Sequence, residues 1–76
     1  MNIEQQKFRE LREKWLKIKD DLLPRERNMV DMRHGLTDGL THTLAEVGKM
    51  YGVTRERVRQ VEAKVFDKIR QHEKEN

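Results

Sequence analysis

Thr43-Leu44-Ala45-Glu46-Val47-Gly48-Lys49-Met50-Tyr51-Gly52-Val53-Thr54-Arg55-Glu56-Arg57-Val58-Arg59-Gln60-Val61 is the stretch that decides the fold. Thr43 and Glu46 have the Thr-x-x-Glu spacing of a capping box, in which two orphan N–H groups are satisfied reciprocally. That predicts a helix opening at Thr43, with Leu44, Val47 and Tyr51 facing inward. Gly52 ends it after about two turns, because glycine takes a left-handed backbone without a Cβ penalty. Thr54 then caps a second helix, running to about Gln71 or beyond. Val58, Val61, Val65, Phe66 and Ile69 make its buried stripe. Two helices joined by a short glycine-containing turn form a helix-turn-helix, which spans Thr43–Arg70. Gly48 is expected to leave room where the second helix crosses the first, with Val58 as a plug between them.

Outward from this motif, the chain divides into further helical segments. Pro24 suits a first helical turn, where its missing N–H costs nothing, and Glu26 favours that end through the helix dipole. Met29, Val30 and Met32 supply that segment's inner face, and Gly35 is a natural stop. Leu36–His42 reads as a loop with Asp38-Gly39 as its turn. Near the start, Phe8, Leu11, Trp15, Ile18 and Leu22 recur at spacings of three and four, an apolar stripe on a charged helix over about Ile3–Asp21. The stripe is read as packing on the rest of the domain, with a dimer or partner seam as the alternative. The expected fold is all-α: a small four-helix domain with a helix-turn-helix and a long C-terminal recognition helix. A charged amphipathic helix (1–21) precedes the helix-turn-helix part (22–76) within one structural domain.

Composition narrows the functional classes. With 76 residues and no cysteine, the core is small and has no disulfide or thiolate staple. No nucleophile–base set, phosphate loop or carboxylate cleft is present, so an enzyme is not expected. His34, His42 and His72 lack ligand-like spacing, so neither a metal nor another cofactor is expected. Nothing resembles a signal peptide or membrane span, and the expected location is the cytoplasm. The net charge of +3 is modest, but its distribution is informative. Residues 54–70 carry six basic side chains against three acidic ones, whereas residues 21–53 carry four against five. The excess lies on the predicted second helix, as in a nucleic-acid reader.

Helix-turn-helix geometry brings the first residues of that second helix to base edges in the major groove. Arg55, Glu56, Arg59 and Gln60 share one face, opposite the valine stripe. Arginine can hold guanine, glutamine suits adenine, and glutamate accepts from the cytosine amine. Arg57, Lys64 and the capped helix starts at Thr43 and Thr54 suit phosphates.

The runs Leu22-Leu23-Pro24-Arg25-Glu26, Gly35-Leu36-Thr37-Asp38-Gly39, His42-Thr43-Leu44-Ala45-Glu46-Val47-Gly48 and Gly52-Val53-Thr54-Arg55-Glu56-Arg57-Val58-Arg59-Gln60-Val61-Glu62-Ala63-Lys64 resemble region four of primary-type sigma factors of the sigma-70 family. The resemblance covers Leu22–Arg70 without a gap. It implies recognition of the promoter −35 element in double-stranded DNA while the domain docks on the β-flap of RNA polymerase core. It matches Arg55, Glu56 and Gln60 to base-reading positions. Arg25, Arg33, Thr54, Arg57, Arg59 and Lys64 match positions that hold phosphates or line the DNA face. Leu44 matches a position whose backbone N–H meets a phosphate. Asp31 and Asp67 depart from the family, which usually has a basic residue at each. His34 stands where the family often has an aromatic or basic residue. An anti-sigma factor or an activator is a further candidate partner.

A single module of this size is expected to bury only about 600–1,000 Å² on DNA. Three base contacts would discriminate by at most roughly 3–9 kcal/mol, at ~1–3 each. Tethering to polymerase raises effective concentration to about the millimolar range, so a module working on a scaffold is expected rather than a complete initiation factor. The alternatives are a free-standing helix-turn-helix regulator, dimerising through the first stripe, and a sigma mimic acting through polymerase or anti-sigma contacts.

Overall fold

The computed structural model describes residues 3–75. Among them are four α-helices and no strand: α1 (Ile3–Ile18), α2 (Pro24–His34), α3 (Leu44–Tyr51) and α4 (Arg55–Glu75). A short 3-10 turn, Lys19–Asp21, continues α1 toward α2. The long helix α4 packs against each of the other three.

The local signals act where the spacing places them. The Thr43 hydroxyl accepts from the Glu46 N–H at 3.1 Å, and the Glu46 carboxylate accepts from the Thr43 N–H at 3.0 Å. The Thr54 hydroxyl accepts from the Arg57 N–H at 3.1 Å and caps α4. Gly52 closes α3 with φ +66°, and Gly35 closes α2 with φ +60°. Gly48 is required for a different reason. A Cβ there would lie 2.7 Å from the Val53 carbonyl oxygen and 3.3 Å from the Thr54 carbonyl carbon. The Val53 N–H donates to the Gly48 carbonyl at 2.8 Å. The Arg55 N, at the start of α4, would lie at 3.4 Å, so Gly48 makes room both for the backbone of the turn and for the start of the second helix.

One core joins all four helices. Trp15, Ile18 and Leu22 from the α1 side meet Met29 and Val30 of α2, Val47 of α3, and Val58, Val61, Val65 and Ile69 of α4. Leu36, read from the sequence as loop, is also buried in this core. Burying Trp15, Ile18 and Leu22 contributes about 1.5–3 kcal/mol each as an upper estimate. That is a large share of the 5–15 kcal/mol typical of a whole domain, so α1 is integral to this one.

The first stripe needs one correction. Phe8 is 41% exposed, Leu11 is half-buried and Trp15 is 3% exposed. Burial deepens along the helix, so the N-terminal turns of α1 lie at the edge of the core. Helical periodicity identifies the apolar face but not where its cover ends.

Cross-helix polar contacts lock this arrangement. Glu62 of α4 is 8% exposed; it forms an ion pair with the Arg33 Nε at 2.8 Å and lies 3.2 Å from the His34 Nε2. The Arg33 Nη1 also donates to the His42 carbonyl at 3.0 Å, and the His42 Nδ1 lies 2.9 Å from the Met32 carbonyl oxygen. Asp31 accepts from the Thr37 N–H at 2.8 Å and from the Thr37 hydroxyl at 2.7 Å, holding the loop to α2. The Arg12 Nε donates to the Leu36 carbonyl at 2.8 Å, tying α1 to the same loop.

Candidate nucleic-acid interface

The helix-turn-helix presents the first turns of α4 to solvent. Val58, Val61 and Val65 are buried on one side of α4, while Arg55, Glu56, Arg59 and Gln60 are all exposed. Leu44, Thr54, Arg55, Glu56 and Arg59 line a cleft of about 330 Å³. It brings the capped starts of α3 and α4 together. The Leu44 N–H, at the first helical position of α3, has no intrahelical acceptor. Both helix starts direct their partial positive charge to this side.

Glu56 is paired within this face. The Arg59 Nε donates to its Oε2 at 2.9 Å and the Arg59 Nη2 to its Oε1 at 2.6 Å. These bonds hold the Glu56 carboxyl below its ordinary pKa, with a smaller contribution from the Gln60 side chain. The acid therefore stays ionised and acceptor-only at neutral pH. The capping bonds from the Thr43 N–H and then its hydroxyl lower Glu46 likewise.

The phosphate candidates fall into two groups. Arg25 and Arg57 share a groove of about 240 Å³ with Leu23, Glu26, Met29, Val53 and Val61. Arg57 is exposed and has no acidic partner among the described residues. Arg25 is exposed, lies over the Tyr51 ring at 5.6 Å and donates to the Tyr51 carbonyl. Thr43 and Thr54 are exposed caps beside the cleft.

Lys64 and Arg33 are different because buried acids hold them. Lys64 bonds the Glu26 Oε2 at 2.8 Å, with its own side chain half exposed and that of Glu26 buried. Glu26 thus links α2 to α4, a role that a helix-dipole reading does not reveal. Arg33 is engaged by Glu62 and His42, with only a quarter of its side chain exposed. Its position binds the domain together rather than offering a free guanidinium.

Pairing also redistributes the basic excess on α4. Arg59 is matched by Glu56, Lys64 by Glu26, and Arg70 by Asp67. Arg55, Arg57, Lys68 and Lys74 remain without an acidic partner among the described residues, two of them in the first turn. Sequence reasoning missed Glu26 and Glu62 as partners of these cations. The available signal was their place among apolar neighbours on the inner helix stripes, where an ionised acid needs a cation.

A family model described as Sigma-70, region 4 matches residues 20–71. RNA polymerase sigma factor SigA of Clostridium acetobutylicum is 54% identical over 63 residues, covering 83% of this chain and 17% of that protein. The chain spans about a sixth of the length of that relative.

Proposed function

Because the chain belongs to the sigma-70 region 4 family, we propose that α4 reads a −35-type promoter element in the major groove while the domain docks on the β-flap of RNA polymerase. The family is one of DNA-binding helix-turn-helix domains and not an enzyme family. The observation that carries the finer reading is the exposed face of Arg55, Glu56, Arg59 and Gln60 at the start of a capped helix. It mixes cations with an acid and an amide, the donors and acceptors that base edges require. Arg25, Arg57, Thr43, Thr54 and the Leu44 N–H then hold the flanking backbone, which sets orientation. Lys64 joins them through its exposed end. Arg33 supports the face indirectly through α2.

Affinity as well as kinship supports flap docking. One small module makes too few base contacts for selective binding alone, and attachment to polymerase supplies the missing effective concentration. No described helix is long and apolar enough to cross a membrane.

The test is binding to a −35 consensus duplex and a scrambled duplex, each with and without the isolated flap domain. Preference for the consensus, strengthened by the flap, is expected. Equal binding to both duplexes in both conditions overturns the proposal. Glu56→Ala should relax preference at one base pair, whereas Arg57→Ala should weaken all sequences and flatten the salt dependence by about one unit of slope.

A further inference from the structure

Arg59 stands apart from the other arginines at the start of α4. Its guanidinium grips both oxygens of Glu56 one turn away, through Nε at 2.9 Å and Nη2 at 2.6 Å. Arg55 and Arg57 have no such partner among the described residues. The fork geometry is the strong, planar form of the arginine–carboxylate contact. Both side chains are more than half exposed, so nothing in the core imposes it.

We infer that Arg59 is a positioning residue for Glu56, and that the two side chains read one base pair as a unit. This rests on the DNA-reading function proposed above.

Two physical arguments support it. Duplex DNA carries about one negative charge per 1.7 Å of axis, so a lone carboxylate entering a groove is repelled. Glu56 enters already neutralised by the cation that holds it. The second argument concerns valence. An ionised carboxylate has about four acceptor sites, and Arg59 occupies two. The remaining sites can accept from the amine of a cytosine, the base suited to an acid. For Arg59 to hold a guanine by itself, it would have to surrender two charge-assisted bonds. Arg55, with no bond to give up, is the better independent reader.

The proposal predicts coupled specificity. Selection from a randomised double-stranded DNA pool at low salt is carried out, with and without the isolated flap domain, with the full chain and with Glu56→Ala, Arg59→Ala, Arg59→Lys and the double alanine variant. Glu56→Ala should reduce preference at one base pair by about tenfold or more. Arg59→Ala should reduce preference at that same pair, with the double variant no worse than either single one. Arg59→Lys keeps the charge but loses the fork, and should recover overall affinity better than selectivity. Loss at a different base pair, or uniform weakening without loss of preference, overturns the assignment.

Carboxyl NMR titration of the free protein tests the pairing without DNA. The Glu56 midpoint should rise toward the ordinary glutamate value in Arg59→Ala. An unchanged midpoint overturns the positioning role even where wild-type DNA selection succeeds. Wild-type protein that selects no sequence, with or without the flap, removes the DNA-reading premise itself and the inference with it.

Discussion

The motif formed by α3, the turn and α4, and the scaffold formed by α1 and α2, are held together by different physics. The motif is closed largely by neighbours in sequence. Thr43 bonds Glu46, Thr54 bonds Arg57, and the Val53 N–H bonds Gly48. The scaffold is held to the motif and to the intervening loop by partners far apart in sequence: Glu26 with Lys64, Glu62 with Arg33 and His34, and Arg12 with Leu36. Motif geometry can therefore recur wherever the local residues recur. The pose of α2 against α4 instead depends on two buried acids finding their cations. Buried pairs of this kind are weak evidence of net stability, but removing one partner is costly. They make the scaffold the less forgiving half.

The largest test of that contrast is Trp15→Ala. It should cost about 3–5 kcal/mol in urea unfolding followed by far-UV circular dichroism, since Trp15 is almost fully buried. A cost below 1 kcal/mol would make α1 an appendage rather than half of the scaffold. In the wild type, fluorescence of this one tryptophan and circular dichroism should give coincident transitions. Separate midpoints would show that scaffold and motif unfold independently.

Arg33→Ala should come next, at about 3 kcal/mol by the same measurement. This is the low end for breaking a buried pair, because Arg33 retains partial exposure. Gly48→Ala should cost about 1–3 kcal/mol through the clash with the Val53 carbonyl, the main place where the motif depends on close packing. Thr43→Ala should cost only about 1 kcal/mol, as usual for a lost cap. If Thr43→Ala proved costlier than Arg33→Ala, the contrast between the two halves would be reversed.

The smallest effect is that of pH on the scaffold. Burial lowers the pKa of His34 below 6.5, the Glu62 charge opposes this, and Arg33 reinforces it. The unfolded chain then binds the proton more readily than the folded one. His34's contribution is fully present above pH 6.5 and falls as pH drops from 6.5 through the folded value. Denaturation midpoints measured across this interval should decline toward acid, and His34→Gln should flatten the slope. The lowered Glu46 pKa in the motif acts in a separate, more acidic window. Its capping contribution is present above pH 4.5 and is lost as pH falls through the folded value.

Much of the fold and candidate interface was legible because its causes are local. A capping box needs two residues three apart, and a left-handed helix stop needs a glycine. The exposed reading face follows from the 3.6-residue period once the valine stripe is known. Asp31 illustrates the limit: as a departure from a family pattern it has no obvious purpose, but in the fold it closes the loop on Thr37. Phe8 shows another, since the period that puts Trp15 in the core also predicted burial for a residue at its edge.

By itself, then, the sequence determined the helix-turn-helix and the side of α4 that faces outward, because those depend on contacts within a few residues. Only the tertiary structure decided which cations are free. Glu26 holds Lys64, Glu62 holds Arg33, and the fork between Glu56 and Arg59 depends on side-chain geometry that spacing permits without requiring. The physical reason is that an ion pair depends on distance in space. Residues 26 and 64 become neighbours only after α2 has packed on α4.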